Sequence, residues 1–226
     1  MLRERLRALI HSQSGSPEQL VPSPPSGRAP TPDPPLVASD FAPRPSNGLD
    51  QFFSYIKGES GLSILDLSGV NQENVSFITN LGHKIYSEDF RRSVRLAGHG
   101  EGQIRADAFL SQNLNHPDGC FDGVLVWDVL EYLSTPLLLA TVERLARIVK
   151  PGSYLLAVFQ AQEKTETVPQ YSFRIQDSKT LLVAGQGRRK PEQVFNNRSL
   201  EKLFQEFESL KFFLARDKLR EVIVKR

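Results

Sequence analysis

The segment Ile64-Leu65-Asp66-Leu67-Ser68-Gly69-Val70-Asn71-Gln72 constrains the chain more than any other stretch. A short apolar run ends in an acid, and a turn of small residues leads into a segment with helical spacing. Strand, loop and helix in that order are the repeating step of a parallel α/β sheet, and the loop falls at the end of the sheet where ligands bind. The glycine-rich form of this loop, D-x-G-x-G-x-G, would put glycines at 68, 70 and 72. Here stand Ser68, Val70 and Gln72, with one glycine displaced to Gly69. Glycine lets a backbone take positive φ and lie close to a ligand. A β-branched valine resists both. The chain therefore has the frame of a nucleotide-type fold with an altered ligand loop.

From residue 46 onward, strand and helix patterns alternate. Helices are expected at 49–56, 72–81, 135–149 and 199–207. Asn71 is the N-cap of the second, Thr135-Pro136 opens the third, and Asn196 or Asn197 caps the last. Strands are expected at 62–67, 83–87, 103–106, 121–127 and 153–159, with two closing strands at 210–215 and 220–225 around a charged turn. Alternation of this kind calls for a doubly wound, mostly parallel α/β sheet, Rossmann-like, with a C-terminal antiparallel hairpin strand.

Ahead of this lies a different composition. Ten of the 15 prolines fall between Pro17 and Pro45. Such a segment buries too little to offset its ordering entropy, and it reads as a disordered, partly polyproline-II tail. A docking peptide for a protein partner is the sharper alternative. Leu2, Leu6, Leu9 and Ile10 share one helical face, so a short helix precedes the tail and is marginal alone. The expected division is a tail over 1–46 and one domain over 47–226. Net charge is only +2, so no global field favours nucleic acid or membrane. Residues 161–226 are locally basic, with Arg188-Arg189-Lys190 the densest cluster. A solvated hairpin loop is the plain reading there, and a contact to an acidic substrate is the alternative. The single cysteine, Cys120, excludes an intramolecular disulfide and a cysteine metal cluster. The four histidines show no metal spacing, so no metal is expected. With no apolar run long enough to span a bilayer and no signal-peptide core, a cytoplasmic protein is expected.

Three segments carry a family resemblance: LSILDLSG, FDGVLVWDVLEYL and LARIVKPGSYLLAVF. They are similar to motif I, the FD-x-V-x-x-x-x-VLEH-x pattern and the R-x-LKPGG-x-LL pattern of the class I S-adenosylmethionine-dependent methyltransferases, in the type 11 branch. The resemblance covers about 61–226, with a degenerate first motif and departures at Gly123 and Ser153. It implies S-adenosylmethionine as cofactor and assigns roles residue by residue. Asp66 would bind the ammonium group. Ser68, Gly69 and their neighbours would line the methionyl part. Asp89, 23 residues after Asp66, would accept both ribose hydroxyls, and Asp107 the adenine amino group. Trp127 would stand near the reacting methyl, and Asp128 or Glu131 would orient an acceptor. Read without the resemblance, these acids are ordinary strand-end or first-turn residues and Trp127 is core.

Methyl transfer from a sulfonium needs alignment more than acid–base help, so no universal catalytic residue is expected. The leading expectation is a methyltransferase acting on a small-molecule acceptor. The alternative is a non-catalytic methyltransferase-like binding or scaffold protein whose altered loop has lost the cofactor. A nicotinamide-dependent oxidoreductase is the weaker third reading, because the loop lacks the glycines that admit a pyrophosphate.

Overall fold

The computed structural model describes residues 37, 40–98, 104–161, 166–215 and 217–226. The N-terminal helix and most of the tail expected over 1–46 lie outside the described residues. The first half contains β1 (Ala42–Pro45), α1 (Asn47–Ile56), β2 (Ser63–Asp66), α2 (Gln72–Asn80), β3 (Lys84–Ser87), α3 (Phe90–Ala97) and α4 (Ala106–Asn113). The second contains β4 (Phe121–Trp127), a 3₁₀ turn at Val129–Tyr132, α5 (Thr135–Ile148), β5 (Val149–Gln160), β6 (Val168–Asp177), β7 (Thr180–Arg189), α6 (Asn197–Leu203), β8 (Ser209–Leu214) and β9 (Leu219–Lys225).

The main sheet has six strands in the order β3-β2-β4-β5-β9-β8. The first four are parallel, and β9 and β8 add antiparallel at the far edge. Burial follows from the pleat. Successive residues face opposite sides, so Leu65, Val124, Val126 and Leu155 join a core with Phe90, Phe109, Leu137 and Leu145 from α3, α4 and α5. Ile64, Leu125, Trp127 and Leu156 join a second core with Leu49, Phe52 and Ile78 from α1 and α2. Both faces are covered, which is why β4 is apolar at nearly every position. Gly123 has a packing reason: a Cβ there would stand 2.6 Å from the ring of Phe52. The departure from the family pattern at this position is what lets α1 lie close to the sheet.

Local chemistry sets the helix ends. Ser46 Oγ accepts from Leu49 N at 3.0 Å, and Asn71 Oδ1 accepts from Asn74 N at 2.8 Å. Asn196 and Ser199 form a reciprocal capping box.

The fold corrects four expectations. Among the described residues no strand stands directly before Asp107: α4 begins at Ala106, and β3 is the sheet edge. Ile104 alone gave a strand little to bury, whereas α4 buries Phe109 and Leu110. α3 was not expected; it places Phe90 and Val94 inward and leaves Arg92 exposed. Part of the tail stretch is structured, because β1 pairs antiparallel with β7. Its prolines are tolerated since β1 is an edge strand. Arg188 and Arg189 are not at a hairpin tip. They end β7, paired with Pro169 and Val168, and the turn of the β6–β7 hairpin lies at 177–180. β1, β7 and β6 form a second, three-stranded antiparallel sheet.

Candidate functional site

Asp66 ends β2 and is fully buried. Its Oδ1 accepts from Ser68 N at 2.9 Å, Ser68 Oγ at 2.7 Å and Trp127 Nε1 at 2.7 Å, and its Oδ2 accepts from Asn74 Nδ2 at 2.7 Å. Burial pushes this carboxyl above its usual range despite those bonds. Three of the chain's own donors meet on Oδ1 and one on Oδ2, so Asp66 organises the loop around it.

The loop closes on β3's end. Ser68 bridges Asp89, and Gly69 N donates to Glu88 O at 3.1 Å. Gly69 has φ +87°, and a Cβ on it would come within 3.2 Å of Asp89 Cβ and Cγ. The displaced glycine thus permits a close approach, though of the Asp89 turn. Val70 is 82% exposed and adds no bulk inside the loop. Asp89 itself is exposed and caps α3, its Oδ1 accepting from Arg92 N at 3.1 Å. Asp107 is exposed in the first turn of α4.

At the end of β4, Trp127 takes a left-handed φ of 57° and is buried. Its ring stacks on Phe173 of β6, with centroids 5.2 Å apart and planes 8° from parallel. Asp128 is buried, 3.5 Å from Arg91 and 3.4 Å from the amide of Tyr171. Burial raises its carboxyl, against the pull of Arg91. Arg91 also donates to Tyr171 O at 2.9 Å and Gln186 Oε1 at 2.8 Å. On the α2 side, Asn74 Oδ1 accepts from Ile175 N at 2.7 Å, and Arg174 pairs with Glu73. The β6–β7 hairpin is therefore fastened to the start of α2, the start of α3 and the end of β4.

Glu131 and Tyr132 stand in the 3₁₀ turn that follows. Glu131 Oε1 accepts from Gln160 N at 2.8 Å, but its Oε2 and the Tyr132 hydroxyl are buried with no partner. Burial pushes the Glu131 carboxyl up to about 8 and raises the Tyr132 phenol as well. The Arg189 guanidinium stands 5.3 Å from the Tyr132 ring centroid.

The structure thus brings Asp66, Ser68, Gly69, Asp89, Trp127 and Asp128 to the carboxyl ends of three neighbouring strands. It does not bring Asp107 to a strand end. Asn74, Arg91, Tyr132, Tyr171 and Phe173 escaped the sequence reading. The alternation of Phe173 and Ile175 was a signal for β6, but its turn has no glycine to mark it. Arg91 carries no local signal, because its partners lie 37 to 95 residues away.

A parallel α/β sheet with an acid closing each of its first two strands, and an antiparallel pair at its far edge, defines the class I methyltransferase fold. The chain belongs to the methyltransferase domain family, whose model matches residues 39–208; these are S-adenosylmethionine-dependent enzymes. A SAM-dependent methyltransferase from Archaeoglobus fulgidus has the same fold, at 13% identity and a TM-score of 0.50, covering 79% of this chain and 91% of that one. The 1,6-didemethyltoxoflavin-N1-methyltransferase of Burkholderia thailandensis, solved with 1,6-didemethyltoxoflavin and S-adenosylhomocysteine, aligns at 10% identity and TM-score 0.47 over 79% and 76% of the two chains. A Pyrococcus horikoshii protein aligns at 16% identity and TM-score 0.46 over 76% and 85%. No curated protein matches the chain.

Asp89, which the resemblance gives to the cofactor's ribose, is exposed beside a loop whose backbone turns on Gly69, so its carboxylate is accessible for that role. Trp127, which the resemblance puts near the methyl, is buried and stacked on Phe173.

Proposed function

We propose that the chain transfers the methyl group of S-adenosylmethionine to a small-molecule acceptor. The observation that carries this reading is the alignment of strand ends: Asp66 pairs in register with Ser87 on one side and Leu125 on the other. The acids at 66 and 89 and the Trp127-Asp128 pair therefore share one edge of the sheet. The bound sulfonium supplies a methyl on a neutral leaving group, so orientation does most of the work. Asp89 accepts the two ribose hydroxyls, and Asp107, exposed at the start of α4, is kept for the adenine amino group. Asp66 holds the Ser68–Gly69 turn in shape. Trp127 and Phe173 exclude water, and Asp128, Glu131 and Tyr132 form the polar wall on the acceptor side.

Calorimetric titration with S-adenosylhomocysteine tests this. Binding near micromolar strength, about −8 kcal/mol, is expected. Asp89→Ala should weaken it by about 1–3 kcal/mol, the range for a hydrogen bond to a charged group. Unchanged affinity in the folded variant would remove Asp89 from the site.

One observation favours a second reading, a non-catalytic binding module: Asp66 already takes four of the chain's own donors, and Trp127 beside it is stacked under Phe173 of β6. Under that reading the same titration gives no heat, in the wild type and in Asp89→Ala alike.

A further inference from the structure

At the opposite edge of the sheet, before the amino ends of β2 and β3, lies a cavity of about 340 Å³. It opens between the C-terminal turn of α1, the end of α2 and the turn of the β6–β7 hairpin. It shares no residue with the strand ends that hold Asp66, Asp89 and Trp127. Its volume is at the small end of the range for ligand pockets. Phe53, Ile56 and Leu81 supply apolar wall, and Ser54 and Ser178 add hydroxyls.

Two features give it chemistry. The first is His83, which lines the cavity and is only 6% exposed. Its Nδ1 is buried with no hydrogen-bond partner. A buried polar atom left unpaired is costly and calls for a partner. Burial also lowers the imidazole's pKa, against the pull of Asp122, so the ring favours its neutral form. The second is charge balance. The four charged residues of the lining are Asp50, Glu59, Lys57 and Lys179, two of each sign, and Lys179 lies 3.6 Å from Asp50. A ligand with net charge gains nothing from this wall.

We propose that this cavity binds a small uncharged aromatic alcohol, its ring against Phe53 and Leu81 and its hydroxyl on the His83 imidazole. A neutral imidazole nitrogen is a donor in one tautomer and an acceptor in the other, and a hydroxyl answers both. An aromatic ring suits an apolar wall that includes the Phe53 side chain, itself held edge-on by Phe52 and Phe77. The site is independent of the methyl-transfer reading.

The test uses the full chain with 4-ethylphenol and, as a control lacking only the hydroxyl, ethylbenzene. Binding is followed by NMR of the histidine rings. Saturable binding of the phenol with a shift of the His83 resonances is expected, and about tenfold weaker binding of the hydrocarbon, as for one lost hydrogen bond. His83→Phe should bring the phenol down to the hydrocarbon's level. Leu81→Trp, at a half-exposed position on the rim, should abolish binding while leaving the circular dichroism unchanged, which covers a misfolded His83 variant. No saturable binding, equal binding of the two probes, or phenol binding undiminished in Leu81→Trp would each overturn the proposal.

Discussion

Gly69 stands where the loop needs a left-handed residue, at φ +87°, and where a side chain would press on Asp89. Gly69→Ala should therefore destabilise the fold by about 1–3 kcal/mol, the cost of holding a non-glycine residue in a sparsely populated backbone region. Chemical denaturation measures this directly. Val70→Gly differs in kind. Val70 faces solvent, so restoring a motif glycine there should change affinity for S-adenosylhomocysteine by less than about 0.5 kcal/mol, as for other surface positions. A large gain in affinity would mean that Val70 does obstruct the pocket. Ser68 is the residue that matters more, because its amide and hydroxyl both hold Asp66.

Two parts of the fold that the sequence hid, β1 and the β6–β7 hairpin, are each held by one arginine. β1 is short and proline-bearing, yet Arg44 reaches from it to Glu221 and Asp217 and is 9% exposed. Burial works against the charge on Asp217, but the bonds from Arg44 hold its carboxyl below the usual range. Glu221 is 2% exposed, and its other oxygen accepts from Gly48 N at 2.6 Å. Arg44→Ala leaves that carboxylate buried beside a single amide. The expected loss is about 3–5 kcal/mol, the usual result of removing one partner of a buried pair. Adding Glu221→Gln should return much of it, and a simple sum of the two losses would show that the residues do not act as a pair. The β6–β7 hairpin depends on Arg91 in a similar way. Arg91→Ala removes the donor shared by Tyr171 O, Gln186 and Asp128. Amide exchange should quicken over 168–177 and stay unchanged over 219–225, because opening the hairpin is a local event. Equal quickening in both would mean that the hairpin is part of the global folding unit.

At the scale of the molecule, buried acids give stability a direction with pH. The folded Glu131 carboxyl lies at about 8, above its ordinary 4.5, chiefly through burial. The folded state then keeps a proton that the unfolded chain releases. Stability falls as pH rises from about 4.5 to 8 and levels off above. One such proton gives a slope of at most about 1.4 kcal/mol per pH unit. Asp66 and Asp128 are also raised by burial and act in the same direction. The comparison with Glu131→Gln isolates one residue, since glutamine still accepts from Gln160 N. The variant should lose part of the slope, and identical slopes would show that Glu131 is ionised in the folded state.

The alternation of strands and helices was legible along the chain because apolar spacing of two or about 3.6 is a local property of a pleat or a helix. Phe121–Trp127 falls at the expected place, and the caps at Asn71 and Asn196 are where short polar side chains meet free helix amides. The 23-residue interval from Asp66 to Asp89 was also readable, since one strand–helix–strand step fixes it. The tertiary structure decided how those residues are used. Asp66 spends its oxygens on Ser68, Asn74 and Trp127, and the last of these arrives from 61 residues away. Phe173 reaches the same place through a hairpin whose turn has no glycine. Hydrogen bonds of this kind depend on which strand ends become neighbours and on which groups lose water together. Neither is a property of any local stretch of sequence.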